Sequence, residues 1–364
     1  MFKKILILTA LLVMVVGCDK QDTSTTTDSG SSNSTIIDPY SYQKMLKTGM
    51  DVDWLKTEKG RYWAQRSHDE GVNVPKLFKE RGLSHVRLRI KEDILSSAIS
   101  NDTGKTLIQE LDAIVDDCLE ADIIPIIAYQ ASDFKDNPDD DEVLEGVVKW
   151  WESVATRYKE KSHKIAYDIV IETTGAVKKR NDRLNLLYKK VAQAVHAIDE
   201  KRIVIVAANK ISNPYNLKDL VVPEPSDYIM AEWHFYAAGP NKDHPTKRWT
   251  TGTKEEQEMI TNRVDTAVEW SKEHHVATWV GAWMANNYNK AGDKGATLDD
   301  GAPAGGEYSV DEQVQIATFI SKTLQKSEVP YAVNSDTKFF NRETNEWYGS
   351  MKKVLDAMIA QYER

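Results

Sequence analysis

The sequence predicts an α/β protein, a single-domain (β/α)8 TIM barrel, on three observations. Eight short apolar or β-branched runs, at 48–54, 85–90, 123–129, 166–172, 202–207, 228–236, 277–283 and 330–335, alternate with helical patterns. Strands alternating with helices imply a parallel sheet, and eight such units close on themselves. No Gly-rich phosphate loop follows the first run, where Met50-Asp51-Val52-Asp53-Trp54 stands, so a nucleotide-binding doubly wound sheet has little support. Residues 39–364 also have the length of such a barrel with insertions.

The chain begins with Lys3 and Lys4, an apolar run at 5–16 and then Val15-Val16-Gly17-Cys18. That run is too short to span a bilayer comfortably, so residues 1–17 read as a secretory signal. Cys18 stands where a bacterial lipoprotein signal is cut and the new terminus lipidated, with Val15 in the place of the usual leucine. Residues 18–38, rich in Ser, Thr, Asp, Asn and Gly, cannot bury a core and read as a tether. The expectation is an exported lipoprotein of the cell envelope, held to a membrane by its lipid alone. The formal charge of −9 argues against nucleic acid as a partner. The second cysteine, Cys118, lies in a helical pattern, so no disulfide framework is expected.

The helical patterns fall at 74–81, 107–121, 143–158, 184–198, 254–272, 310–326 and 348–362. Leu184, Leu187, Val191, Val195 and Ile198 form one stripe facing a sheet. Thr253-Lys254-Glu255-Glu256 and Ser309-Val310-Asp311-Glu312 are capping boxes, in which hydroxyl and glutamate each satisfy a free backbone N–H. The connection at 209–227 holds only a weak helix. Loops 239–253 and 284–308 are long and polar, and the second is expected to form a mobile edge of a cleft.

In a barrel the chemistry belongs at the C-terminal ends of the strands. The fourth run closes on Glu172, where apolar surroundings are expected to raise its pKa and suit it to protonate a leaving oxygen. Alternation in the sixth run puts Glu232, His234 and Tyr236 on one face and Trp233 and Phe235 on the other. The second run sends Arg87 and Arg89 to one face, where they need carboxylate partners. Tyr129, Gln130 and Asp133 follow the third run, and Asn334, Asp336 and Lys338 the eighth; these suit a hydroxyl-rich ligand, though Asn and Asp there are also turn residues. Trp54, Trp233, Trp249 and Trp283 are candidate platforms for sugar rings, although each alone is more often core than platform. Glu232 and His234 are one ligand short of a usual metal set, so neither metal nor cofactor is expected.

Glu172, the His-Phe-Tyr of 234–236, the Val-Arg-Leu of 86–88 and the Trp-Val-Gly of 279–281 together resemble glycoside hydrolase family 5, the cellulase-like retaining barrels. Gly49-Met50-Asp51-Val52-Asp53 with Val86-Arg87-Leu88-Arg89 is more weakly similar to the family 53 galactanases. The resemblance implies hydrolysis of a β-linked polysaccharide or oligosaccharide by a monomer. It implies Glu172 as acid/base, with Arg87, His234 and Tyr236 around it. It also puts the nucleophile at position 282, which is alanine, and the asparagine and proline flanking the acid/base at Ile171 and Thr173. Three explanations stay open: Glu232 relocated as the second carboxylate, a glycan-binding protein that has lost the chemistry, or different acid–base chemistry in the same cleft.

Overall fold

A computed structural model describes residues 35–236, 246–286 and 297–359. The expected signal, Cys18 and most of the tether lie outside the described residues, as do parts of both long loops. Eight parallel strands close into a barrel: β1 (Thr48–Leu55), β2 (His85–Ile90), β3 (Ile124–Tyr129), β4 (Ala166–Asp168), β5 (Val204–Ala207), β6 (Ile229–His234), β7 (Ala277–Trp283) and β8 (Tyr331–Asn334). β8 returns to β1 with Asp51 opposite Asn334.

Two apolar layers hold the barrel. The outer one packs strand residues such as Val52, Leu88, Val206 and Val280 against the surrounding helices. The inner one fills the lower barrel with Ile126, Ile205, Met230, Trp279 and Ala332. Helix Pro39–Leu46 closes the N-terminal end, adding Tyr42 and Leu46 to that inner layer. The Tyr42 hydroxyl donates to the Lys164 carbonyl at 2.8 Å, and the Thr278 N–H to Gln43 Oε1 at 2.8 Å. Gly49 lies against the His85 ring, which a Cβ there would strike. His85 Nδ1 donates to the Leu46 carbonyl at 2.6 Å while Nε2 accepts from Trp279 Nε1 at 3.2 Å. Burial holds this imidazole neutral, with a pKa lowered to about 3.

Three elements differ from the sequence reading. Helix Pro39–Leu46 follows the polar tether directly, started by the Asp38 carboxylate on the N–H groups of Tyr40 and Ser41. Helix Glu58–Asp69 buries Gly60, Trp63, Ala64, Gln65 and Ser67, a face with almost no aliphatic side chains and so no readable apolar period. β4 ends at Asp168, four residues before Glu172. Beyond it the Ile169 N–H still donates to Ile205 O at 3.1 Å and the Ile171 N–H to Tyr129 O at 2.9 Å.

Candidate active site at the mouth of the barrel

The alternation expected in β6 is present. Trp233 faces the outer layer, donating from Nε1 to Thr278 Oγ1 at 3.0 Å, while Glu232 and His234 point into the barrel. Arg87 on β2 meets them there. Its Nε donates to Asp51 Oδ1 at 2.9 Å and its Nη1 to Asp168 Oδ2 at 3.3 Å and to Glu232 Oε1. The guanidinium carbon lies 5.7 Å from the Trp279 ring centre. Arg89 Nε donates to the Val52 carbonyl at 3.2 Å and lies 3.3 Å from Asp51 Oδ1. Asp51 thus serves both arginines, and the carboxylates that two parallel arginines require come from β1, β4 and β6.

His234 stands between two glutamates. Nδ1 donates to Glu172 Oε1 at 3.1 Å, and Nε2 donates to Glu232 Oε1. Burial disfavours a charged imidazole, but the Glu232 and Glu172 carboxylates outweigh it and raise its pKa to about 9. Glu172 behaves oppositely to expectation. Burial would raise its pKa, yet the His234 hydrogen bond and charge, with Arg87 and Lys135, hold it at about 2. At neutral pH Glu172 is therefore a carboxylate, without the proton a general acid must carry. Asp168 is pushed well above the carboxylate range by burial and by the Glu232 charge.

The two glutamates differ in access. The Glu172 side chain is 30% exposed and the Glu232 side chain 0%. Glu172 also has φ of 45°, a left-handed conformation uncommon for a non-glycine residue and concentrated at functional sites. Gly281 makes room for Glu232, because a Cβ there would collide with the Glu232 carboxyl and with His234 Nε2. Ala282 is buried opposite His234 in the β6–β7 register. The imidazole thus fills the space between the two carboxylates, one open to the mouth and one sealed beneath it.

The other expected ligand groups divide. Asn334 Nδ2 donates to the Tyr236 hydroxyl at 3.1 Å, joining β8 to the end of β6. Gln130 Oε1 accepts from Lys135 Nζ at 3.0 Å; the same ammonium donates to the Ile171 carbonyl, so Gln130 orients Lys135 beside Glu172. Tyr129 stacks on Trp150 with centroids 4.2 Å apart, in a separate recess that Asp133 also lines. The tryptophan platforms are corrected. Trp233, Trp249 and Trp283 are buried, packed on Phe235, Phe319 and Tyr331, and offer no face to a ring. Trp54 is buried too and donates to Asp336 Oδ2 at 3.0 Å. Asp336 is occupied by that indole and by Arg342.

The family model for cellulase, glycosyl hydrolase family 5, matches residues 45–310. This chain belongs to that family. Endoglucanase H of Acetivibrio thermocellus is 22% identical over 259 residues, covering 71% of this chain and 28% of that protein. Endoglucanase C of the same organism is 27% identical over 169 residues, covering 43% and 47%. The chain thus spans less than half the length of the curated relatives it matches. Among solved structures, endoglucanase Cel5A of Thermotoga maritima superposes with a TM-score of 0.69 at 19% identity, covering 89% of this chain and 100% of that one. Cellulose synthase subunit Z of Clostridioides difficile does so with 0.65 at 18%, covering 86% and 99%. At such identities the structures bear on the fold alone.

Within this family 5 barrel, sequence reasoning missed Asp51, Asp168, Lys135 and Gly281. The first two carried a signal, since the arginines on β2 demanded carboxylates and both lie inside strand patterns. Lys135 carried none and Gly281 only its place in the Trp-Val-Gly motif, because their importance rests on contacts between distant segments.

Proposed function

We propose that this protein holds a β-linked glycan across the mouth of its barrel without cleaving it by double displacement, β-1,4-glucan being the first ligand to test. One observation carries the reading: His234 separates Glu172 from Glu232, and the latter has no exposed surface. Double displacement needs two carboxyl groups about 5–5.5 Å apart flanking the scissile bond, one at the sugar carbon and one at the glycosidic oxygen. Alanine at 282 supplies no second group, and Glu232 spends its charge on Arg87 and His234. Glu232 is then a positioning residue that keeps His234 protonated and Arg87 fixed. Glu172, Tyr236, Asn334 and Arg89 supply the polar groups for sugar hydroxyls. A lipid on Cys18 would keep the domain in the cell envelope, suited to retaining glycan near a membrane.

The experiment incubates wild type, Glu172→Gln and Glu232→Gln with soluble β-1,4-glucan and with mannan, measuring bound polymer and new reducing ends. Binding without new ends in wild type is expected. Reducing ends that disappear in Glu172→Gln overturn the reading in favour of hydrolysis, with the ionised Glu172 acting as base.

A further inference from the structure

A cavity of about 320 Å³ opens beside the mouth, at the C-terminal ends of β1, β2, β7 and β8. Its charged lining is Lys56, Arg89, Lys338 and Asp53. Asp53 is already paired with Arg342, so three cations face the space without a free carboxylate among the lining residues. The bias runs against the composition, since the chain carries −9 overall. A neutral glucan offers nothing to balance it.

Each cation has unused donors. Lys338 Nζ donates to Asn286 Oδ1 at 2.7 Å and to the Met284 sulfur at 3.6 Å, and no carboxylate pairs with it among the described residues. Burial lowers its pKa to about 8. Arg89 spends Nε on Val52 and Asp51, and its two terminal nitrogens have no partner among the described residues. That free fork matches the paired oxygens of a carboxylate or sulfate. Lys56 is half-buried and its ammonium makes no hydrogen bond or ion pair among the described residues; burial and Arg89 lower its pKa against the opposing charges of Asp51, Glu172 and Asp53. The hydroxyl residues Ser335 and Thr337 complete the polar wall. A partly buried cation without a counter-ion costs some free energy, which an arriving anion offsets. Asn334 lines the cavity and bonds Tyr236, so the cavity wall adjoins the end of β6.

We propose that this cavity is a subsite for an anionic substituent, a carboxylate or sulfate, carried by the bound glycan. The inference rests on the glycan-binding reading above, and it narrows the ligand from β-linked glycans in general to acidic ones. It assigns Lys56, Arg89 and Lys338 as the residues that select the charge.

The test compares three polymers with one β-1,4-glucan backbone: neutral hydroxyethyl cellulose, carboxymethyl cellulose and cellulose sulfate, with dextran sulfate as a charged polymer of another backbone. Affinity electrophoresis of the full chain gives the four affinities at low and high salt. At least one charged cellulose is expected to bind about tenfold tighter than the neutral one at low salt, with the advantage shrinking as salt screens it. Carboxymethyl cellulose and cellulose sulfate report separately which anion is preferred. Lys338→Met and Lys56→Gln are each expected to bring the charged-to-neutral ratio toward one. Lys56 is only half-buried, so its variant keeps the test open if Lys338→Met folds poorly. Equal binding of the three celluloses overturns the subsite and leaves the glycan reading standing. Dextran sulfate binding as tightly as cellulose sulfate overturns it too, since any polyanion would then do. No binding to any cellulose overturns the glycan reading itself, and the inference falls with it.

Discussion

Glycine at 281 permits a carboxylate to lie beneath His234. An added methyl group there would overlap both the Glu232 carboxyl and His234 Nε2, neither of which can retreat from a closed barrel. Gly281→Ala is therefore expected to destabilise the fold by about 1–3 kcal/mol, the usual cost of overpacking a filled interior. Urea unfolding measures it, and a change under about 0.5 kcal/mol, within the range of neutral surface substitutions, would show that Glu232 has somewhere else to go. Residue type and strand period identified Glu172 and the inward face of β6, and the family resemblance singled out Ala282. They did not reveal the depth of Glu232, because alternation assigns a side chain to a face and not to a level in the barrel. Nor did they reveal that Glu172 is ionised. Apolar neighbours in sequence suggested a raised pKa, whereas the imidazole that lowers it arrives from another strand.

Among the elements, those with a strong apolar stripe were legible almost to the residue. Helices Leu107–Glu120, Asn181–Ile198 and Val310–Lys326 lie where the period put them, and both capping boxes form. Helix Pro39–Leu46 was hidden because it buries only Tyr42 and Leu46 and follows a polar stretch in the sequence. Its contribution is nonetheless large: Tyr42 has no exposed surface, packs into the inner layer and holds the Lys164 carbonyl just before β4. Tyr42→Ala should cost about 3–5 kcal/mol, as for other large buried aromatics, while Tyr42→Phe should cost about 1 kcal/mol for the hydrogen bond alone. Thermal unfolding of the two variants separates packing from hydrogen bonding, and equal losses would contradict this account. At the other end of the scale, Thr253→Ala removes one capping hydroxyl from helix Lys254–His274 and is expected to cost about 1 kcal/mol.

Across the whole molecule, β1, β2, β4 and β6 each send charge to one point, so the closed barrel acts as an electrostatic unit. Two groups at the mouth shape much of its pH response. His234 rises from 6.5 to about 9 on folding, so its contribution is complete below pH 6.5 and fades as pH rises through 9. Glu172 falls from 4.5 to about 2, so its contribution is complete above pH 4.5 and fades as pH drops through 2. Both share the His234–Glu172 hydrogen bond, and His85, held neutral by burial with a pKa of about 3, adds a loss as pH falls below 6.5, so the expected profile is a narrow plateau near pH 6.5–7 with losses on either side. Chemical denaturation across pH checks the plateau, and a His234 imidazole that titrates near 6.5 by NMR would break the account. On the glycan-binding reading proposed above, the same unit explains why a single substitution should not confer hydrolysis. Ala282→Glu adds a carboxylate beside Glu232, and two like charges so close to one Arg87 are costly to bury. Pairing Ala282→Glu with Glu232→Gln keeps the charge of the cluster while moving the carboxylate beside His234 on β7, the position that the family resemblance gives the nucleophile. The double variant is expected to release reducing ends from a soluble β-1,4-glucan, with Ala282→Glu alone remaining near the wild-type level. A double variant that folds, binds the glucan and still releases nothing would mean that hydrolysis requires more than a carboxylate at position 282, with Ile171 and Thr173 beside Glu172 the next to exchange.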